Sequence, residues 1–106
     1  MPKTSRRRPA TLRLFESQFP QAWSQYHALV ETCDRSGPLT PKTRELINIG
    51  IAVARKRHGG LVAHITRAKR AGASVAEIYH AIVLAIPLVG LPDALDAFRI
   101  AKQHLT

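Results

Sequence analysis

Four ionisable side chains interrupt an otherwise apolar stretch of this chain: Glu45, Arg57, His58 and His64, all within TPKTRELINIGIAVARKRHGGLVAHITRAKRAGAS. A histidine near neutral pH can take and return a proton, and a neighbouring carboxylate sets its tautomer. Glu45 and His64 are therefore a candidate acid–base pair. Each also has a plainer reading. Glu45 falls in the second turn of an expected helix, where it can stay half wet beside Arg44 or Lys42. Without a partner or water, a carboxylate in an apolar helix is costly. His64 borders Leu61, Ile65 and Ala68, a place where a histidine is commonly a hydrogen-bonded core residue. Arg57 can offer a substrate carboxylate two parallel hydrogen bonds. With His58 and the backbone N–H groups of Gly59 and Gly60 it makes a candidate anion cradle. The plainer meaning of RKRH is a solvated basic helix end. His80 lies just off an apolar stripe and reads as a surface or interface residue.

No metal or other cofactor is expected. His58 and His64 are six residues apart across a glycine break, and the chain has no cysteine pair and no His-x-x-x-His. Neither zinc nor iron spacing is matched.

The elements that must hold these residues are all helical, giving an all-α fold of five or six helices. Leu14, Phe15 and Phe19 share the face of a short helix that Thr11 could cap. Pro20 suits the first turn of the next, where Trp23, Tyr26, Leu29, Val30 and Cys33 recur at helical spacing. Thr40 followed by Pro41 is a cap-and-proline start for the Glu45 helix. That helix is apolar nearly all round from Leu46 to Ala54, as suits a central helix or one covered by a partner subunit. Gly50 inside it suggests close helix–helix contact. Gly59-Gly60 breaks the pattern, and Leu61, Ile65, Ala68 and Ala71 define the next face. Gly72 fits a left-handed C-terminal cap. Ser74-Val75-Ala76-Glu77 is a capping box opening a helix with Ile78, Ala81, Ile82, Ala85 and Val89 inward and Pro87 as a kink. A last helix carries Leu95, Phe98, Ala101 and Leu105.

Composition bounds the function. A chain of 106 residues with 45% hydrophobic side chains suits one small core, placed at residues 11–106 after a disordered basic tail at residues 1–10. Sixteen basic against seven acidic side chains give +9 and favour anionic partners. Five of the basic residues (Lys3, Arg6, Arg7, Arg8 and Arg13) lie in the first thirteen residues, and no helix-turn-helix or aromatic-basic platform accompanies them, so nucleic acid is not expected. The single cysteine, Cys33, excludes an internal disulfide and reads as a small buried hydrophobe. No apolar stretch is long enough to span a bilayer, and the expected setting is cytoplasmic.

The RELI of Arg44–Ile47, the apolar run Ile49–Ala54, His64 and the GAS turn of Gly72–Ser74, with Gly37-x-Leu39 before them and Gly90-Leu91-Pro92 after, occur in an order that resembles the carboxymuconolactone decarboxylase and AhpD-like alkylhydroperoxidase family. The resemblance runs roughly from Phe19 to His104. It implies an all-helical AhpD-like bundle assembled as a homo-oligomer, a trimer or a hexamer. In peroxidase members a relay glutamate stands twelve residues before the first cysteine of a Cys-x-x-Cys, and a relay histidine four after the second. Glu45 and His64 keep those spacings, while Arg57 and Gly60 occupy the cysteine positions. Thiol peroxide reduction needs an attacking thiolate and a resolving thiol, so it is not expected. The decarboxylase branch, which carries acidic residues where this chain has Gly59 and Gly60, works without the thiol pair. It implies lyase-type acid–base chemistry on a small anionic organic substrate, with Glu45 and His64 catalytic and Arg57 and His58 binding substrate. The other reading is an oligomeric binding or assembly protein that has kept the scaffold and lost the chemistry.

Overall fold

Thr40 and Pro41 do open the helix that carries Glu45. The computed structural model describes residues 9–105, and they form six helices: α1 (Ala10–Gln18), α2 (Pro20–Asp34), α3 (Pro41–Ala54), α4 (His58–Arg70), α5 (Val75–Val89) and α6 (Leu91–Leu105). No strand occurs among the described residues. Most of the tail assigned to residues 1–10 lies outside them; of its last two residues, Ala10 already belongs to α1.

The chain divides into two compact units, Met1–Pro38 and Leu39–Thr106. In the first, α1 starts after Pro9 without a side-chain cap, so Thr11 lies inside the helix rather than capping it. Pro20 takes the first turn of α2 as expected. Phe15 and Phe19 meet at 5.4 Å between ring centroids, and Trp23 and Tyr26 at 6.0 Å. Neither helix has a buried residue. Phe19, Tyr26, Leu29 and Val30 are exposed, and so is Cys33, which corrects the expectation of a buried thiol. The helical spacing of these residues says nothing about what covers them.

The second unit contains the core. Thr40 accepts the Thr43 N–H at 3.2 Å, satisfying an otherwise orphaned donor at the start of α3. Ile49, Leu61, Ile65, Ile78 and Ile82 are its largest fully buried side chains, contributed by α3, α4 and α5. The last helix presents Ala94, Ala97, Ile100 and Ala101 inward, whereas Leu95 and Phe98 stay exposed. Of the residues that the spacing groups on this helix, Ala101 is buried and Leu105 packs against the core, while Leu95 and Phe98 do not. Phe98 meets Tyr79 with tilted rings, 5.0 Å between centroids.

The connections follow from local chemistry. After α4 the Ala73 N–H returns to the Ala68 carbonyl and the Gly72 N–H to that of Lys69, with Gly72 at φ +96°. This is the Schellman arrangement that favours glycine. The end of α3 repeats it without glycine. Arg57 N–H donates to Ala52, Lys56 N–H to Val53, and Lys56 itself takes φ +55°. The chain therefore turns at Lys56, not at Gly59-Gly60, and both glycines lie in the first turn of α4. A complete capping box starts α5: Ser74 N–H donates to Glu77 Oε1 at 2.8 Å and Glu77 N–H to Ser74 Oγ at 3.0 Å. Pro87 sits inside α5, which nevertheless runs on to Val89.

Candidate functional site

Glu45, in the second turn of α3, and His64, midway along α4, face each other because Lys56 and Arg57 fold the two helices back on one another. His64 Nδ1 lies 2.7 Å from Glu45 Oε1. The side chains retain 24% and 17% exposure respectively, so the contact is largely shielded by protein while water still reaches part of each group. Beneath it are Ile49, one turn beyond Glu45, and the buried Leu61, Ile65 and Ala68 of α4. With Nδ1–H donating to the carboxylate, the imidazole is held in one tautomer and Nε2 carries the lone pair.

The plainer reading of Glu45 assigned it Arg44 or Lys42 as partner. Arg44 instead donates to the Leu39 carbonyl at 2.9 Å, and Lys42 Nζ lies 3.1 Å from Glu77 Oε2. Glu77 is held below the usual carboxylate range, first by the Ser74 backbone N–H and then by Lys42.

Arg57 caps the start of α4 and is exposed. His58, also exposed, borders a cleft of about 180 Å³ with Lys56, Asp93 and Asp96. Lys56 Nζ and Asp93 Oδ2 are 3.7 Å apart there. Sequence reasoning missed this pairing, since nothing in the spacing links residue 56 to residue 93. A second cleft, about 680 Å³, lies between α1 and α2 around Arg13, Glu16 and Trp23. A third, about 580 Å³, is an apolar groove between α3 and α5 with Thr43, Glu77 and His80 as its polar lining. None of these three is lined by Glu45, His64 or Arg57. The structure thus brings together Glu45 and His64, and places Arg57 and His58 at the α3–α4 junction without gathering all four round one cavity. Among the described residues no group of three or more His, Cys, Asp or Glu side chains could hold a metal ion.

The sequence matches the profile of the carboxymuconolactone decarboxylase family over residues 17–103. The chain belongs to this family. Its fold is also that of a solved family member, a carboxymuconolactone decarboxylase family protein from Legionella pneumophila in its apo form. The two superpose with a TM-score of 0.79 at 23% identity, covering 89% of this chain and 84% of the other. At that identity the likeness shows the fold alone. No curated protein matches the chain. Among the described residues no helix is long and apolar enough to cross a membrane.

Proposed function

We propose that this carboxymuconolactone decarboxylase family member performs acid–base chemistry on a small carboxylated organic molecule, decarboxylation or lactone rearrangement, with His64 as the proton-transferring group and Glu45 orienting it. The observation that carries the reading is the 2.7 Å Nδ1–Oε1 contact, which leaves Nε2 as the reactive nitrogen. When carbon dioxide leaves, the electron pair of the broken C–C bond stays on carbon and must be delocalised, then protonated. A protonated His64 supplies that proton and is recharged by solvent. Arg57 supplies positive charge, and His58 a ring nitrogen for hydrogen bonding, to the substrate carboxylate from the α3–α4 junction. Arg57 and Gly60 at the thiol positions leave no dithiol for peroxide reduction, and one unpaired cysteine suits a cytoplasmic setting.

The test is turnover and binding of lactone and muconate-like acids by wild type, His64→Gln, Glu45→Gln and Arg57→Ala. Turnover by wild type that falls at least a hundredfold in His64→Gln, with weakened binding in Arg57→Ala, supports the reading. Equal and negligible binding by all four proteins removes it. A second reading then stands, favoured by the absence of Glu45 and His64 from the three clefts: an oligomeric binding or assembly protein on the same scaffold. In both readings the working form is a homo-oligomer, a trimer or a hexamer.

A further inference from the structure

Gly60 stands four residues before His64 on α4, so the two lie one above the other on the same face of the helix, about 6 Å apart along its axis. The Cα–Cβ bond of a helical residue tilts towards the N-terminus, which carries the His64 ring towards Gly60 rather than away from it. A glycine at that place leaves the ring uncovered. A Cβ added at Gly60 would meet the Arg57 Cβ at 3.7 Å, an ordinary van der Waals contact, and no other side chain within 4 Å beyond its neighbours in sequence. The missing side chain therefore leaves an open notch, with the root of the Arg57 side chain on one flank and His64 on the other.

Each flank brings a different chemistry. Arg57 is exposed and has no carboxylate partner among the described residues: Glu45 is engaged by His64, Glu77 by Lys42 and Asp93 by Lys56. Its guanidinium keeps its donors for a ligand, and a carboxylate can accept two of them in parallel. His64 gives Nδ1 to Glu45 Oε1 at 2.7 Å, so the lone pair is on Nε2, away from the carboxylate. An acid anchored by Arg57 above Gly60 thus brings a carbon to a nitrogen that can take a proton from it or give one to it.

We infer that Gly60 is the specificity-determining residue of this site: the notch it leaves seats a short carboxylic acid, with the carboxylate on Arg57 and a carbon one or two bonds away at His64 Nε2. The inference rests on the Glu45–His64 reading given above and adds a limit on size. Arg57 and His64 are seven residues apart, about 10 Å along the helix axis, and a guanidinium reaching over Gly60 towards an imidazole closes most of that interval. Acids whose reacting carbon lies beside the carboxylate fit what is left, and acids with a longer spacer do not. Any large side chain at position 60 would take the same space.

Alkylation reads this arrangement without turnover. Bromoacetate and bromoacetamide present the same reacting carbon and differ in charge. In each, the Nε2 lone pair forms a bond to the CH2 carbon, the C–Br bond breaks and bromide leaves, and the product imidazolium keeps its Nδ1–H on Glu45. Each reagent is applied to the full chain in a Cys33→Ser background, and modification is followed by peptide mass spectrometry, with the exposed His27, His80 and His104 as internal controls. Relative to those controls, His64 should react with bromoacetate faster than with bromoacetamide by about tenfold or more, as a charge-assisted contact to Arg57 implies. Arg57→Ala should bring the ratio to that of the controls, and Arg57→Lys should restore part of it. The longer ε-bromohexanoate should show no advantage over its amide. Leucine is a better helix former than glycine, so Gly60→Leu should keep its helicity by circular dichroism and slow both short reagents at His64 several-fold. Equal relative rates for the two short reagents at His64 of wild type, or an unchanged rate in folded Gly60→Leu, overturns the inference. His64-dependent turnover of lactone or muconate-like acids would survive that result, so the acid–base reading does not fall with it. A charge preference at His64 without any such turnover supports the seat and removes the acid–base reading instead.

Discussion

A double-mutant cycle on Glu45 and His64 measures the interaction on which the proposed chemistry rests. The 2.7 Å contact joins groups that are 24% and 17% exposed, between the fully exposed pairs that contribute almost nothing and the dry pairs that contribute most. A hydrogen bond to a charged group contributes about 1.5–3 kcal/mol when shielded. Partial access of water lowers the expected coupling to about 1–2 kcal/mol. Glu45→Ala and His64→Ala should each cost about 1–3 kcal/mol, because each leaves its partner unsatisfied. Glu45→Gln should cost less, since an amide oxygen can still accept the Nδ1–H. The double variant should cost less than the sum of the single ones by the coupling energy. Replacing both residues by apolar ones, Glu45→Met with His64→Leu, should leave stability equal or higher, because a packed apolar pair has no desolvation cost. Urea unfolding at one fixed protein concentration is the assay, since association would otherwise shift the apparent stability. Coupling below about 0.3 kcal/mol, within the scatter of additive distant sites, would show that the two groups do not hold each other and would remove the basis for an oriented imidazole.

Other parts of the fold give sharper local expectations. Lys56→Gly should stabilise the protein by about 0.5–1 kcal/mol, because relief of the left-handed backbone outweighs the weak, exposed Lys56–Asp93 pair; a lower urea midpoint would refute this. Ser74→Ala should cost about 1 kcal/mol by opening the capping box at α5, read from the same titration. Glu77 is held below its ordinary 4.5, so its ionised form favours the folded state: the contribution is present above that value and lost as pH falls through the lower folded-state value. Stability of Glu77→Gln should accordingly fall less steeply on acidification than that of wild type. Cys33 should be alkylated by iodoacetamide without denaturant, and slow labelling comparable to that of a buried thiol would contradict its exposure.

The helices themselves were legible because their boundaries are written in local chemistry. Thr40-Pro41, Ser74 with Glu77, and Gly72 each act on the nearest turn of backbone, and each does in the structure what its residue type requires. The exceptions are also local in cause. Lys56 occupies the left-handed position that Gly72 holds one helix later, and no residue-type signal marks a lysine for that conformation. The break was accordingly expected at Gly59-Gly60, beyond the Lys56 and Arg57 N–H groups whose hydrogen bonds end α3. On α6, Ala101 and Leu105 pack on the core as their spacing suggests, while Leu95 and Phe98 stay exposed and Ala94, Ala97 and Ile100 complete the inward face. Burial depends on which face comes nearest a neighbour, and that is a property of pairs of helices rather than of one.

The candidate site shows the same division between what one helix encodes and what only two helices decide. A glutamate on α3 and a histidine on α4 are nineteen residues apart in sequence, and nothing between them fixes whether they meet. Residue-level reasoning weighed Arg44 and Lys42 as partners for Glu45 because both are neighbours in the same turn. Both are committed elsewhere: the arginine closes back on Leu39, and the lysine reaches across to the cap of α5. Once those cations are engaged, the shielded carboxylate has His64 as the partner at hydrogen-bonding distance. An apolar pair at the same positions would serve stability as well, so the fold alone gives no reason for an acid and a base to stand there. Proton transfer does give one, and it is the reason the functional reading rests on this contact rather than on the more conspicuous run of charge from Arg55 to His58.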